Sequence, residues 1–146
     1  MGVDYDKYDN RYWRDLEKEH KENLVIIPFS SDKSTKEKYW NSIGINCITG
    51  IYEPFGYTIC ECIDRCVPVV VSNIDGPKEI IEEIKEYVYT YDVDIDNYGN
   101  DILNISNALT QVWNTPSNIR KFNSKMARKC LDKLRPEIIR IQWRDL

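Results

Sequence analysis

Two carboxylates, Glu53 and Glu61, stand eight positions apart in the run Glu53-Pro54-Phe55-Gly56-Tyr57-Thr58-Ile59-Cys60-Glu61. The run reads as a loop, a helix opened by Phe55-Gly56 and extending to about Cys66, and then the buried strand Val67-Pro68-Val69-Val70-Val71-Ser72. Backbone N–H groups at a helix start bind phosphate oxygens, and the helix dipole favours the negative charge. Gly56 permits close approach because it has no side chain. Tyr57 and Thr58 offer first-turn amides, and Thr58 adds a hydroxyl. A carboxylate at Glu61, one turn further in, can accept from paired hydroxyls. Glu53, on the preceding loop, can reach hydroxyls on the far side of the phosphates. The chemistry this spacing suits is the capture of a phosphorylated, hydroxyl-rich ligand.

Helical phase sets the competing reading. At about 100° per residue, Ile59, Cys60, Ile63 and Val67 share an apolar face, and Tyr57, Glu61, Asp64 and Arg65 share the polar one. Taken alone, Glu61 is a solvated residue paired with Arg65 at i+4, worth a few tenths of a kcal/mol, about 0.3–0.5. A second turn, Ser72-Asn73-Ile74-Asp75-Gly76-Pro77-Lys78-Glu79, follows the buried strand. By itself it is an ordinary turn in which Glu79 favours a helix N-terminus.

Together these segments resemble the nucleotide-sugar half of retaining glycosyltransferases built from two Rossmann-like domains (the GT-B fold), of the family 4 or glycosyl transferases group 1 type. The E-x7-E signature of that family has the layout of Glu53 to Glu61. Its Gly-Gly-x-x-Glu-like turn corresponds to Asp75-Gly76-Pro77-Lys78-Glu79, with Asp75 replacing the first glycine. The resemblance implies that Glu53 is catalytic, that Phe55, Gly56, Tyr57, Thr58 and Glu61 bind the donor nucleotide sugar, and that Asp75, Gly76 and Glu79 form a donor loop. It further implies sugar transfer with retention at the anomeric carbon, of a hexosyltransferase-like kind, without a metal or other cofactor. The resemblance is specific from about Leu24 to Ile81. In the family an acceptor-binding domain precedes this half, and two further strands of the donor half carry an arginine and a lysine that neutralise the pyrophosphate. Nothing in Met1 to Glu22 matches them. The expectation is therefore one partial donor-binding domain over residues 1–146, lacking the N-terminal acceptor domain and with little or no transferase activity alone. Partners would be the nucleotide sugar and either the missing domain or a second copy in a homodimer. The alternative is a non-catalytic remnant, an interaction module that keeps the half-fold.

The elements that must position these residues follow from pattern. Asn10 to Glu22 is helix-like, and Leu24 to Ile27 is an apolar run ended by Pro28, as in a strand buried on both faces. A short helix over Thr35 to Ser42 closes at Gly44, and Ile45 to Thr49 forms a second strand. After Val67 to Ser72, Pro77 stands near the start of a helix carrying Ile80, Ile81 and Ile84. A fourth strand runs over Tyr87 to Tyr91, followed by helices over about Asp101 to Trp113 and Pro116 to Leu134. The alternation predicts an α/β fold: a Rossmann-like parallel sheet of about four strands flanked by helices, with ligands at the carboxyl strand ends.

Bulk properties exclude other classes. A chain of 146 residues is most simply one domain. A net charge of −4 and interleaved acids and bases argue against nucleic-acid binding. No run approaches the roughly 20 apolar residues of a membrane span. The polar start, Met1 to Asn10, is no signal peptide, so the five cysteines are expected as reduced thiols in the cytoplasm. Cys60, Cys62 and Cys66 have no second cluster and no nearby histidine, which argues against zinc. Cys60 phases with the core, and Cys66 takes the place of a helix-ending glycine. His20 lies in a Lys/Glu-rich stretch, and Asn104-Ile105-Ser106 is a glycosylation pattern inside a helix. Tyr12, Trp13, Tyr39, Trp40 and Trp113 at helical spacings are core or a docking face.

Overall fold

A computed structural model describes residues 11–25, 27, 30–50, 56–94 and 96–134. The chain divides into two compact units, Met1–Ser42 and Ile43–Leu146.

The first unit holds two helices, α1 (Arg11–Glu19) and α2 (Lys33–Trp40). Asp32 caps α2: its carboxylate accepts from the Thr35 amide at 2.7 Å and from the Ser34 hydroxyl at 2.6 Å. That cap starts the helix two residues before the predicted Thr35. Among the described residues, the predicted strand at Leu24–Ile27 is not found. Residues 24, 25 and 27 join no ladder, and Val25 and Ile27 are 74% and 39% exposed. A strand buried on both faces needs neighbours along both edges, and no described residue of this unit forms a strand.

The second unit carries the sheet. Strands β1 (Asn46–Ile48), β2 (Val69–Ser72) and β3 (Tyr89–Tyr91) are parallel, in the order β1-β2-β3. The sheet thus has three strands among the described residues where about four were expected. Three parallel strands in sequential order are what one half of a doubly wound sheet contributes, and the architecture is a partial Rossmann-like domain. Helices α3 (Tyr57–Asp64) and α4 (Asp75–Ile84) make the two crossovers, and α5 (Tyr98–Asn114) and α6 (Ser117–Cys130) follow, with a 3-10 turn at Leu131–Leu134. Right-handed crossovers that step in one direction place α3 and α4 on the same face.

Side-chain parity assigns the core. Val70, Tyr89 and Tyr91 pack with Ala108 and Val112 of α5, with Cys47 and Ile105 at the margin. Val69 and Val71 have the opposite parity, and both are buried, as are Ile59 and Ile63 of α3 and Ile80, Ile81 and Ile84 of α4. Each such side chain contributes about 1.5–3 kcal/mol by leaving water. All four residues of β2 are buried, which is why its sequence shows no polar alternation. Helix α6 packs on α3 and α4, and Arg128 reaches Asp64 at 3.2 Å. α5 begins at Tyr98, before the predicted Asp101, because the Asn97 side chain accepts from the Gly99 amide and caps it. Among the described residues no helix is long and apolar enough to cross a membrane.

Candidate functional site

Gly56 is the N-cap of α3 and lies in the left-handed region, at φ 95° and ψ 40°. Its carbonyl accepts the first helical bonds, from Ile59 at 2.9 Å and Cys60 at 3.3 Å. A β-carbon built at Gly56 would lie 2.8 Å from Ile59 Cδ1 and 3.6 Å from Ile80 Cδ1. The missing side chain therefore serves the close approach of α3 to α4, on the interior side, as well as the backbone turn. Tyr57 is 74% exposed and Thr58 half-buried in the first turn.

Glu61 is exposed on the outer side of α3. The i+4 ion pair that pattern alone suggests is not formed. Arg65 instead donates to the backbone carbonyl of Glu61 at 3.3 Å, and the Glu61 carboxylate has no salt-bridge partner among the described residues. Cys66 closes the helix at φ 55°, in the left-handed position predicted to stand in for glycine. Its amide donates to Ile63 O at 3.0 Å and that of Val67 to Cys62 O at 2.9 Å, the paired bonds of a Schellman motif.

α4 starts directly after β2, just as α3 follows β1, so parallel strands bring both helix starts to the carboxyl edge of one sheet. Gly76 and Glu79 lie in the first half of α4, Gly76 partly buried and Glu79 exposed. Asp75 is the first residue of that helix. The structure thus gathers Gly56, Tyr57, Thr58, Asp75 and Gly76 at one edge, with Glu61 and Glu79 further along their helices. Glu53 and Phe55 lie outside the described residues.

Two side chains missed by sequence reasoning tie this edge together. Ser72 Oγ donates to Gly50 O at 2.9 Å, and Tyr91 Oη donates to Ile48 O at 3.1 Å. Burial raises the Tyr91 phenol above its ordinary 10.0, opposed by the neighbouring Ser72 hydroxyl and reinforced by Cys47 and Asp101. Asn73 continues the row: its amide donates to Tyr91 O at 2.8 Å and its side chain to Asp92 Oδ1 at 3.1 Å. Beyond β3, Asp94 accepts from the amides of Asp96 and Asn97 and from Asn100 Nδ2, so its carboxylate shapes the entry to α5.

The cysteines contribute packing. The phase argument placed Cys60 in the core, but Cys62 is the fully buried one and Cys60 is half-exposed. Cys62 Sγ accepts from Asn46 Nδ2 at 2.8 Å, and desolvation pushes its thiol up to about 11. Trp113 is 74% exposed, so it is not core. With Ile102, Ile105, Leu109 and Ile45 it lines an open apolar groove of about 620 Å³. Ile45 precedes β1, so the groove reaches the amino end of that strand, away from the edge described above.

Residues 4–125 match the family of glycosyl transferases group 1. A stretch of 68 residues is 32% identical to an uncharacterized glycosyltransferase of Methanocaldococcus jannaschii. That similarity covers 47% of this chain and 17% of the archaeal protein. With the family match extending over most of its length and a partial Rossmann-like sheet beneath it, this chain belongs to the glycosyl transferases group 1 family.

Proposed function

We propose that the chain is the donor-binding part of a glycosyltransferase that takes a nucleotide-diphosphate sugar at the carboxyl edge of its sheet. The observation that carries this reading is the α3 start: a left-handed glycine opening a helix, with an exposed carboxylate one turn in, inside a chain of the group 1 family. The first-turn amides of α3 hold diphosphate oxygens, and the helix dipole stabilises the charge that develops on the leaving diphosphate. Glu61 accepts from the ribose hydroxyls, and Glu53 meets the transferred sugar as the catalytic carboxylate. Phe55 shapes the entry to the turn, and Asp75, Gly76 and Glu79 face the donor from α4. Transfer proceeds with retention, without a metal, in the cytoplasm, and catalysis is mainly positioning plus electrostatic stabilisation. Nothing in Met1 to Glu22 matches the two donor-half strands whose arginine and lysine neutralise the diphosphate in the family, so this chain alone has little or no activity.

Titration calorimetry of the chain against UDP and GDP, with Glu61→Ala as control, tests the reading. Saturable binding weakened by the substitution supports it. Absence of binding to either nucleotide at millimolar concentration overturns it in favour of a second reading, a non-catalytic interaction module. The observation that favours the second reading is the apolar groove with its exposed Trp113, a surface suited to a protein partner.

A further inference from the structure

Hydroxyls at the end of a strand are usually hydrated. Ser72 and Tyr91 are not: they are 1% and 5% exposed, and each spends its hydrogen on a carbonyl of the β1 exit, Gly50 at 2.9 Å and Ile48 at 3.1 Å. Neither bond belongs to the sheet ladder, whose registers pair β2 with β1 and β3 through the backbone. Tyr89 supplies an internal contrast. It stands two positions earlier on the same strand and the same face, yet its buried hydroxyl has no hydrogen-bond partner among the described residues. Burying a phenol does not by itself secure it a partner in this core. Asn73 then joins the β2 exit to β3 and Asp92, immediately before the residues that open α4.

We propose that Ser72, Asn73 and Tyr91 are positioning residues, whose cross-strand bonds fix the three strand exits against one another and thereby set the spacing of the two helix starts that receive the donor diphosphate. The proposal rests on the donor-site reading above and adds to it the residues that hold the cradle in shape. Positioning of this kind acts on ligand affinity through geometry, because a displaced amide loses its hydrogen bond to phosphate.

The test uses the full chain with Tyr91→Phe, Ser72→Ala, Ser72→Thr and Tyr89→Phe. Calorimetry with UDP and GDP is paired with amide hydrogen exchange. Tyr91→Phe and Ser72→Ala are expected to weaken nucleotide binding about two- to tenfold, the range set by one hydrogen bond. Ser72→Thr, which keeps the hydroxyl, restores it, and Tyr89→Phe leaves it unchanged. Exchange should accelerate at Gly50 and over Asn73–Gly76 and stay unchanged over Val69–Val71. Unaltered affinity in both hydroxyl-deleted variants overturns the proposal, even if the edge loosens. If the wild-type chain binds neither nucleotide, the donor reading fails first, and exchange decides the positioning alone. Acceleration confined to the edge then upholds it, whereas a uniform or absent change overturns it.

Discussion

Replacing Gly56 with alanine tests the backbone conformation and the packing of the site at once. The left-handed conformation at φ 95° costs a residue with a β-carbon about 1–2 kcal/mol. The new methyl would sit 2.8 Å from Ile59 Cδ1, and Ile59 is fully buried, so the isoleucine cannot swing into solvent. Overpacking of that kind costs about 1–3 kcal/mol. Alanine gives back about 0.4–1 kcal/mol by stiffening the unfolded chain. The net expectation is a loss of about 2–4 kcal/mol, read as a fall in urea midpoint at unchanged slope. Gly44→Ala is the control, since nothing lies within 4 Å of its β-carbon position and its φ is not positive. It should stay within about 0.5 kcal/mol of wild type or gain slightly. The mechanism has a sharper signature in Gly56→Ala/Ile59→Val, which deletes the methyl that collides. Ile59→Val alone should cost about 0.5–1.5 kcal/mol, and in the alanine background it should cost less or even recover stability. Strict additivity of the two changes would refute the collision with Ile59, and a Gly56→Ala variant as stable as wild type would refute the left-handed turn itself.

The helix end makes the opposite prediction. Cys66 pays for a left-handed conformation at φ 55° that glycine adopts freely, so Cys66→Gly should stabilise the fold by about 0.5–1 kcal/mol in thermal or urea unfolding. The buried thiol gives a pH dependence. Because burial pushes Cys62 up to about 11 from 9.0, the folded state favours its neutral form. That contribution is complete below pH 9 and disappears as pH rises to about 11, so the urea midpoint should fall between pH 9 and 11, and less steeply in Cys62→Ala. Asp32 shows the acid counterpart, held down to about 2 from 3.8 by the hydroxyls of Ser34 and Thr35 and the Thr35 amide. Its cap on α2 is complete above pH 3.8 and is lost as pH falls through about 2, so the NMR titration midpoint of its side-chain carboxyl carbon should lie near 2 and not near 3.8.

What was legible from residue order alone divides along a physical line. Backbone conformation and burial on both faces leave local marks. Gly56 announced the turn that opens α3, Cys66 stood where a helix-ending glycine belongs, and the run Val69–Ser72 had the unbroken apolar character of a central strand. The E-x7-E spacing drew attention to the helix start that the structure brings to the carboxyl edge beside α4. Periodicity failed where two answers were equally good. Cys60 and Cys62 lie about 80° to either side of the axis through Ile59 and Ile63, at 100° per residue. Only the neighbour supplied by β1, Asn46 at 2.8 Å from the Cys62 sulfur, identifies the buried one. Leu24–Ile27 failed for the converse reason: an apolar run has the composition of a buried strand, but its burial depends on partners that the run itself cannot specify. The edge bonds lie furthest from any local pattern. Ser72 meets Gly50 across 22 residues and Tyr91 meets Ile48 across 43, distances that only the order of the strands closes. A serine after a valine run and a tyrosine in a short strand are unremarkable in sequence. Parallel pairing makes them neighbours, and their buried hydroxyls then join the strand ends at the carboxyl edge of the sheet.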